Sequence, residues 1–531
     1  MENGFTQPEY SKSGSFTQLV LPHYYDVLIP EDDSVRLLSQ ILEELDYSKL
    51  HLAYSPLGRK PAVSPKNLFK VVIYGAMNHI FSSRTIEKSC RRDINFMYLL
   101  QGEPVPDHNT IARFKKDRLP KSIDSLFNQF TLLLQKIQEI TFETLYVDGT
   151  KVDANANRYT FVWRKSVEKY NVKLMEKANL LLRTLYTEKD IPQPLTLAFM
   201  KDCLLQLEKE KQETNLTFVY GSGKRKTPLQ RNYETLSEYI ERKTYYEYCF
   251  DKFGDRNSFS KSDTDATFMR MKDDHMHNGQ LKPAYNVQIG VEAEYVVQVG
   301  VYSSTTDYGT LVPFLNKVET AFKEKFKKIV ADSGYESEEN YVYLTEEKYS
   351  SFIKPQNHEI VKTKKFKKQI GRKENMEYDK EKDEFTCSNG RKLVFKYDST
   401  QKLKSGYERK LSTYECEDCS NCPLYEQCNK SKFGANKTLR FSKNFEALRT
   451  VSVQNISSKE GIKLRVNRSI QVEGAFGVLK GNYGVQRFLM RGFNNVEVEM
   501  TILCLGYNFN KLHNKRSSNR LKTEYHEVKI A

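Results

Sequence analysis

Two short runs of β-branched and aromatic residues each close on an aspartate with a glycine just behind it. They are Thr144-Leu-Tyr-Val-Asp148-Gly149 and Lys328-Ile-Val-Ala-Asp332-Ser-Gly334. Runs of this length and composition read as buried strands, and each delivers a carboxylate to a sheet edge. Between them lie two further strand signals, Tyr285-Asn-Val-Gln-Ile-Gly-Val and Tyr295-Val-Val-Gln-Val-Gly-Val, and then helical spacing from Leu311 to Phe326. The order strand, hairpin, helix, strand constrains the fold strongly, because the second aspartate strand must return to the sheet through a helical crossover. A third acid, Glu473 in Gln-Val-Glu-Gly-Ala-Phe-Gly-Val-Leu-Lys, reads as helical. Lys480 follows it by seven residues, close to two turns, so acid and base share one face about 10 Å apart along the axis.

Carboxylates in such a set suit a hard, strongly hydrated cation. Mg²⁺ is held by a few carboxylates and by the phosphate of its substrate, unlike metals that favour His or Cys. Two such ions can activate a water or a 3′ hydroxyl and stabilise the leaving oxygen in displacement at phosphorus. A strand-ending aspartate also serves as a turn or cap residue, so spacing alone leaves both uses open.

The segments around Asp148, Asp332 and Glu473 resemble the catalytic motifs of the DDE transposases of bacterial insertion sequences. The resemblance extends to residues 255–272 (Asp-Arg-Asn-Ser-Phe-Ser-Lys-Ser-Asp-Thr-Asp-Ala-Thr-Phe-Met-Arg-Met-Lys), to 278–288, and to Arg487-Phe-Leu-Met-Arg-Gly492, and covers most of residues 20–515. It implies an α/β ribonuclease H-like catalytic core, a mixed sheet flanked by helices, in which Asp148, Asp332 and Glu473 hold two Mg²⁺ ions; Lys480 reads either as a phosphate contact or as a solvated lysine. Many relatives carry Tyr-x2-Arg-x3-Glu-x6-Lys around the third acid. Here Ser469 stands four before Glu473 and Val466 seven before, while Glu-x6-Lys is intact. Arg465 and Arg468 are near, but five residues of ideal helix turn Arg468 away from Glu473.

The 531 residues exceed what one core needs. With 83 Lys and Arg against 68 Asp and Glu, the net charge is +15, which favours a polyanionic partner. Mean hydropathy is −0.64, no run approaches a membrane span, and no signal pattern opens the chain, so a cytoplasmic protein without membrane association is expected.

Residues 1–20 read as a flexible N-terminus and 21–125 as an all-α DNA-binding domain. Helices are expected over Asp32–Leu45, from the Ser64-Pro65 start, after Ser82-Ser83, and from Asp107 to Lys116. Arg84, Arg91, Arg92, Arg113, Lys115 and Lys116 supply a basic face; a structural domain with solvated cations is the alternative. The core is assigned to 126–165, 264–354 and 451–515, and 516–531 to a C-terminal tail. Two inserts interrupt it. Residues 166–263 read as a helical hairpin, and 355–450 as a basic, Cys-rich insert. In the latter, Lys364, Lys365, Lys367 and Lys368 suit contact with DNA phosphates, or else form a solvated linker. Cys416-x2-Cys419-x2-Cys422-x5-Cys428, with Cys387 as an alternative ligand, suits one structural Zn²⁺; buried free thiols are the other reading. Asp307 reads as the N-cap of the following helix, and His275 and His277 as an exposed loop.

The expected protein is thus a Mg²⁺-dependent transposase. It would bind the terminal inverted repeats of its element as a homo-oligomer on double-stranded DNA, cleave at the ends, and join the 3′ hydroxyl to target DNA. A catalytically silent DNA-binding regulator and a ribonuclease H-like nuclease are the rivals.

Overall fold

A computed structural model describes residues 28–55, 60–186, 191–221, 223–271, 279–429 and 434–523. The expected flexible segment 1–20 and the His275–His277 stretch lie outside the described residues, as does the tail beyond 523.

Capping chemistry sets the N-terminal helices. Asp33 accepts from the Val35 N–H and opens Ser34–Glu43; Ser64 accepts from Asn67 at 3.2 Å, with Pro65 behind it, and opens Pro65–Met77. Asp107 accepts from Asn109 and Thr110 to open His108–Arg113, which runs into a π-helical turn, Phe114–Arg118. Helix Pro65–Met77 packs along the closing helix Phe493–Ser517. A Cβ on Gly506 would stand 2.8 Å from Ala76 Cβ, so glycine there lets the two backbones approach. The N-terminal helices consequently share one apolar cluster with the central sheet.

That sheet is mixed. Its strands are β1 (Thr144–Asp153), β4 (Thr267–Arg270), β5 (Leu281–Glu292), β6 (Tyr295–Tyr302), β7 (Lys328–Ala331) and β8 (Ser350–Ile353), while β2 (Phe161–Trp163) and β3 (Ser258–Ser260) form a separate pair. The path runs β4-β5-β1-β7-β8, with β6 also on β5. Strand β1 is antiparallel to β5 and parallel to β7, which is parallel to β8. The hairpin, crossover helix (Leu311–Ala321) and return strand follow the succession expected from the sequence. Strands β5 and β6 are buried on both faces, which explains their near-continuous apolar runs.

The first insert differs from expectation, and the second has an architecture that the sequence left open. The first rises from the β2–β3 pair as three helices, Arg164–Leu185, Leu197–Glu213 and Pro228–Phe253, where a hairpin of two was expected. Pro192 and Pro194 cannot continue a helix, so the chain breaks there and starts again. The second insert is mostly an antiparallel sheet: β9 (Glu377–Asp379), β10 (Glu384–Thr386), β11 (Lys392–Lys402), β12 (Glu408–Cys416) and β13 (Thr438–Phe441), in the order β13-β12-β11-β10-β9. Its core is small, with Met376, Phe385, Leu393, Tyr414, Cys416 and Leu439 buried together. Among the described residues no helix is long and apolar enough to cross a membrane.

Candidate active site

Strand β1 does not end at Asp148 but continues to Asp153, so Asp148 lies mid-strand, paired with Ile289. Strand β7 stops at Ala331, whose register partner is Val147. Asp332, the next residue, therefore emerges beside Asp148, where the parallel pairing of the two strands stops. Each carboxylate is steadied locally: Asp148 Oδ1 accepts from the Gly149 N–H and Asp332 Oδ1 from the Gly334 N–H, both at 2.8 Å. Asp332 thereby caps the short turn Ser333–Tyr335.

Glu473 comes from a helical run that covers this part of the sheet. Helix Lys459–Arg468 passes into a π-helical turn, Ser469–Glu473, then one α turn, Gly474–Gly477, and a second π turn, Val478–Asn482. The π turn overturns the expectation that Arg468 points away. Hydrogen bonding to i+5 accommodates one extra residue in the turn, so residues five apart come onto one face. Arg468 Nη2 lies 3.1 Å from Glu473 Oε1, and its Nη1 lies 3.2 Å from Asp148 Oδ2. Ser469 Oγ donates to Glu473 Oε2 at 2.9 Å. A guanidinium thus bridges the strand acid and the helix acid, and cancels the repulsion between them. Lys480 Nζ reaches the Lys151 carbonyl at 3.4 Å, three residues beyond Asp148 on β1.

Among the described residues, no group of three His, Cys, Asp or Glu side chains stands ready to hold a metal ion. Between Asp148 and Glu473 stands the Arg468 guanidinium, a cation. Its presence shows that the carboxylates attract positive charge there, and an all-oxygen donor set suits a hard divalent ion.

Residues 255–271 and 487–492 form a clamp at the far end of β1. Arg487 donates to the Ala154 and Ala156 carbonyls at 3.1 and 2.9 Å, and Phe488 N–H donates to the Asp153 carbonyl. Asp263 and Asp265 accept from the Gly492 and Phe493 N–H groups, and the Tyr285 hydroxyl donates to Asp263 at 2.9 Å. The two acids thus fasten the loop that follows the helical run carrying Glu473.

Of the expected DNA contacts, Arg84, Arg91, Arg92, Arg113 and Lys116 are exposed, Arg91 pairing with Glu87. Lys115 is a correction. It turns inward, donates to the Phe81 carbonyl at 3.0 Å, and burial lowers its pKa. It therefore ties the π turn to the loop that precedes helix Ser83–Cys90, and its ammonium is turned away from the exposed basic side chains. Lys364, Lys365, Lys367 and Lys368 are exposed around a one-turn helix, Lys364–Lys367, anchored by buried Phe366.

All nine cysteines are free thiols. Cys387, Cys419 and Cys428 pack with buried Cys416 around the small core of the second sheet, whereas the Cys422 thiol accepts from Asn389 Nδ2 at 3.5 Å. Burial and the neighbouring Cys419 thiol push Cys416 up to about 12.

No curated protein and no solved structure matches the chain. Two family models do. Residues 23–117 match a transposase domain (DUF772), which covers the capped N-terminal helices. Residues 386–513 match a transposase DDE domain, which takes in most of the second sheet, Arg468, Glu473, Lys480 and most of the closing helix, and begins after Asp332. Matched in this order, the two transposase domains support a DDE-type transposase of an insertion sequence.

Proposed function

We propose that this chain is a DNA transposase with a ribonuclease H-like core. It acts in the cytoplasm as a homo-oligomer on the terminal inverted repeats of its element, cleaves at the element ends, and joins the 3′ hydroxyl to target DNA. The observation that carries the reading is the convergence of Asp148 and Asp332 where the parallel pairing of β1 and β7 stops, with Glu473 linked to Asp148 through Arg468. The sheet path, with an antiparallel hairpin on one side of β1 and parallel β7 and β8 on the other, supports the assignment of the core.

Asp148, Asp332 and Glu473 would hold two Mg²⁺ ions, which when bound activate the attacking hydroxyl and neutralise charge at phosphorus. The residues present do the positioning. The parallel register sets the spacing of the two aspartates, and the 2.8 Å backbone donors restrict their rotation. Arg468, in contact with both, keeps Asp148 and Glu473 side by side. Lys480, near Lys151, offers a cation where a phosphate backbone would run along β1, and the exposed cations of residues 84–116 and 364–368 extend that contact.

The test compares Asp148→Asn, Asp332→Asn and Glu473→Gln with the parent on labelled element-end DNA. Each substitution is nearly isosteric and removes charge, so cleavage should vanish while gel-shift affinity stays within about three-fold. Retained cutting in any variant removes that residue from the site. Binding without cutting by the parent would identify a regulator, and cutting without strand joining a nuclease.

A further inference from the structure

We propose that Asp307 is a positioning residue for the Asp332 carboxylate, a reading that rests on the function proposed above. Asp307 is not the N-cap that its sequence position suggests: Thr310 occupies that place before helix Leu311–Ala321. Its side chain instead turns to the sheet, where Oδ1 accepts from Asn286 Nδ2 at 2.8 Å and from Gln288 Nε2 at 3.1 Å. Both amides belong to β5 and are fully buried. Gln288 is the register partner of Gly149. A Cβ on Gly149 would stand 2.2 Å from Gln288 Nε2 and 2.9 Å from Asp307 Oδ1, so the glycine after Asp148 makes room for this polar layer.

The same layer holds the turn that carries Asp332. Gln288 Oε1 accepts from the hydroxyl of fully buried Tyr335, the last residue of the Ser333–Tyr335 turn. Buried Asn340 donates to the Tyr308 and Tyr335 carbonyls at 2.9 and 2.7 Å, fastening the Asp307 loop to that turn. A Cβ on Gly334 would lie 3.0 Å from Asp332 Oδ1 and 3.4 Å from Asp307 Oδ2, so both carboxylates close over the space that the missing side chain leaves. Asp307 is thus wedged between the β5 amides and the turn, and fixes where Asp332 emerges from β7. The role requires an acceptor oxygen, which the amide of an Asp307→Asn variant still supplies.

The experiment compares Asp307→Ala and Asp307→Asn in the full chain by backbone hydrogen exchange and by cleavage of element-end DNA. Exchange in 332–336 should quicken about ten-fold in the Ala variant, with little change in β1 or β5, and return to the parent rate in the Asn variant. Cleavage kcat should fall about 100-fold in the Ala variant, with KM for DNA within about three-fold, and recover mostly in the Asn variant. Unchanged exchange in the Ala variant, an Asn variant no better than Ala, or loss of protection across the whole sheet overturns the proposal. Because hydrogen exchange needs no catalysis, a parent that does not cut would sink the proposed function while this measurement still decides the place of Asp307.

Discussion

The π turn before Glu473 makes Arg468 the sharpest place to perturb the site. At 3.2 Å and an effective dielectric near 20, the Arg468–Asp148 attraction is about 5 kcal/mol before desolvation. Asp148 is 13 % exposed at the side chain, so losing the guanidinium approaches the buried limit of about 3–5 kcal/mol. The Glu473 arm, 55 % exposed, adds at most about 1 kcal/mol. Asp148 keeps its Gly149 donor, which lowers the total, and we expect Arg468→Ala to cost about 2–3 kcal/mol in divalent-free buffer. Saturating Mg²⁺ should recover most of that loss, because a hard cation offers the carboxylates what the guanidinium supplied. Arg468→Lys should recover only part, since one ammonium does not span both acids as a planar fork does. Geometry gives an independent arm. Deleting Ile470, which is 38 % exposed and leaves no core void, should relax the π turn to α and place the arginine four residues before the glutamate, still on its face. Urea midpoints with and without Mg²⁺, read beside end cleavage, decide it. An Ala variant as stable as the parent without divalent ion, or an Ile470 deletion as damaging as Ala, refutes the bridge.

Glu292 predicts a pH dependence. Its carboxylate accepts from the N–H groups of Thr141, Phe142, Glu143 and Thr144, yet burial outweighs these donors and pushes it up to about 7. A raised folded pKa means its contribution is complete below the unfolded value near 4.5 and is lost as pH rises through 7, about 3 kcal/mol in all. The difference in urea midpoint between parent and Glu292→Gln should change across that window, and a constant difference would count against it. For the second insert, protein purified without added metal should contain one zinc per chain, and Cys419→Ser should expose residues 384–429 to protease. The small core around Cys416 leaves this sheet little else to fold on. No stoichiometric zinc, with unchanged protection in the variant, returns the cluster to ordinary thiols.

What the sequence disclosed followed from periodicity and caps. The strands at Asp148 and Asp332, the hairpin of β5 and β6, and the Ser64-Pro65 helix start were legible because burial alternation and capping act over a few residues. The second sheet was not: β11 buries Leu393 but leaves Phe395 and Tyr397 exposed on either side of Lys396, so no regular alternation of buried residues marked it as a strand. Asp307 reads as a cap because an Asp three residues before Thr310 fits one locally, and only the distant β5 amides reveal where its carboxylate goes. Arg468 escapes for a deeper reason. Any reading of a helix face assumes 3.6 residues per turn, and a single π turn moves the face by one residue without changing composition. Counted in residues, the family's arginine-to-glutamate spacing is absent. Counted in turns it is kept, with the extra residue absorbed between Ser469 and Glu473 and the charge returned to Asp148 and Glu473. Spacing that departs by one inside a helix is therefore better tested against a π turn than taken as loss of the motif.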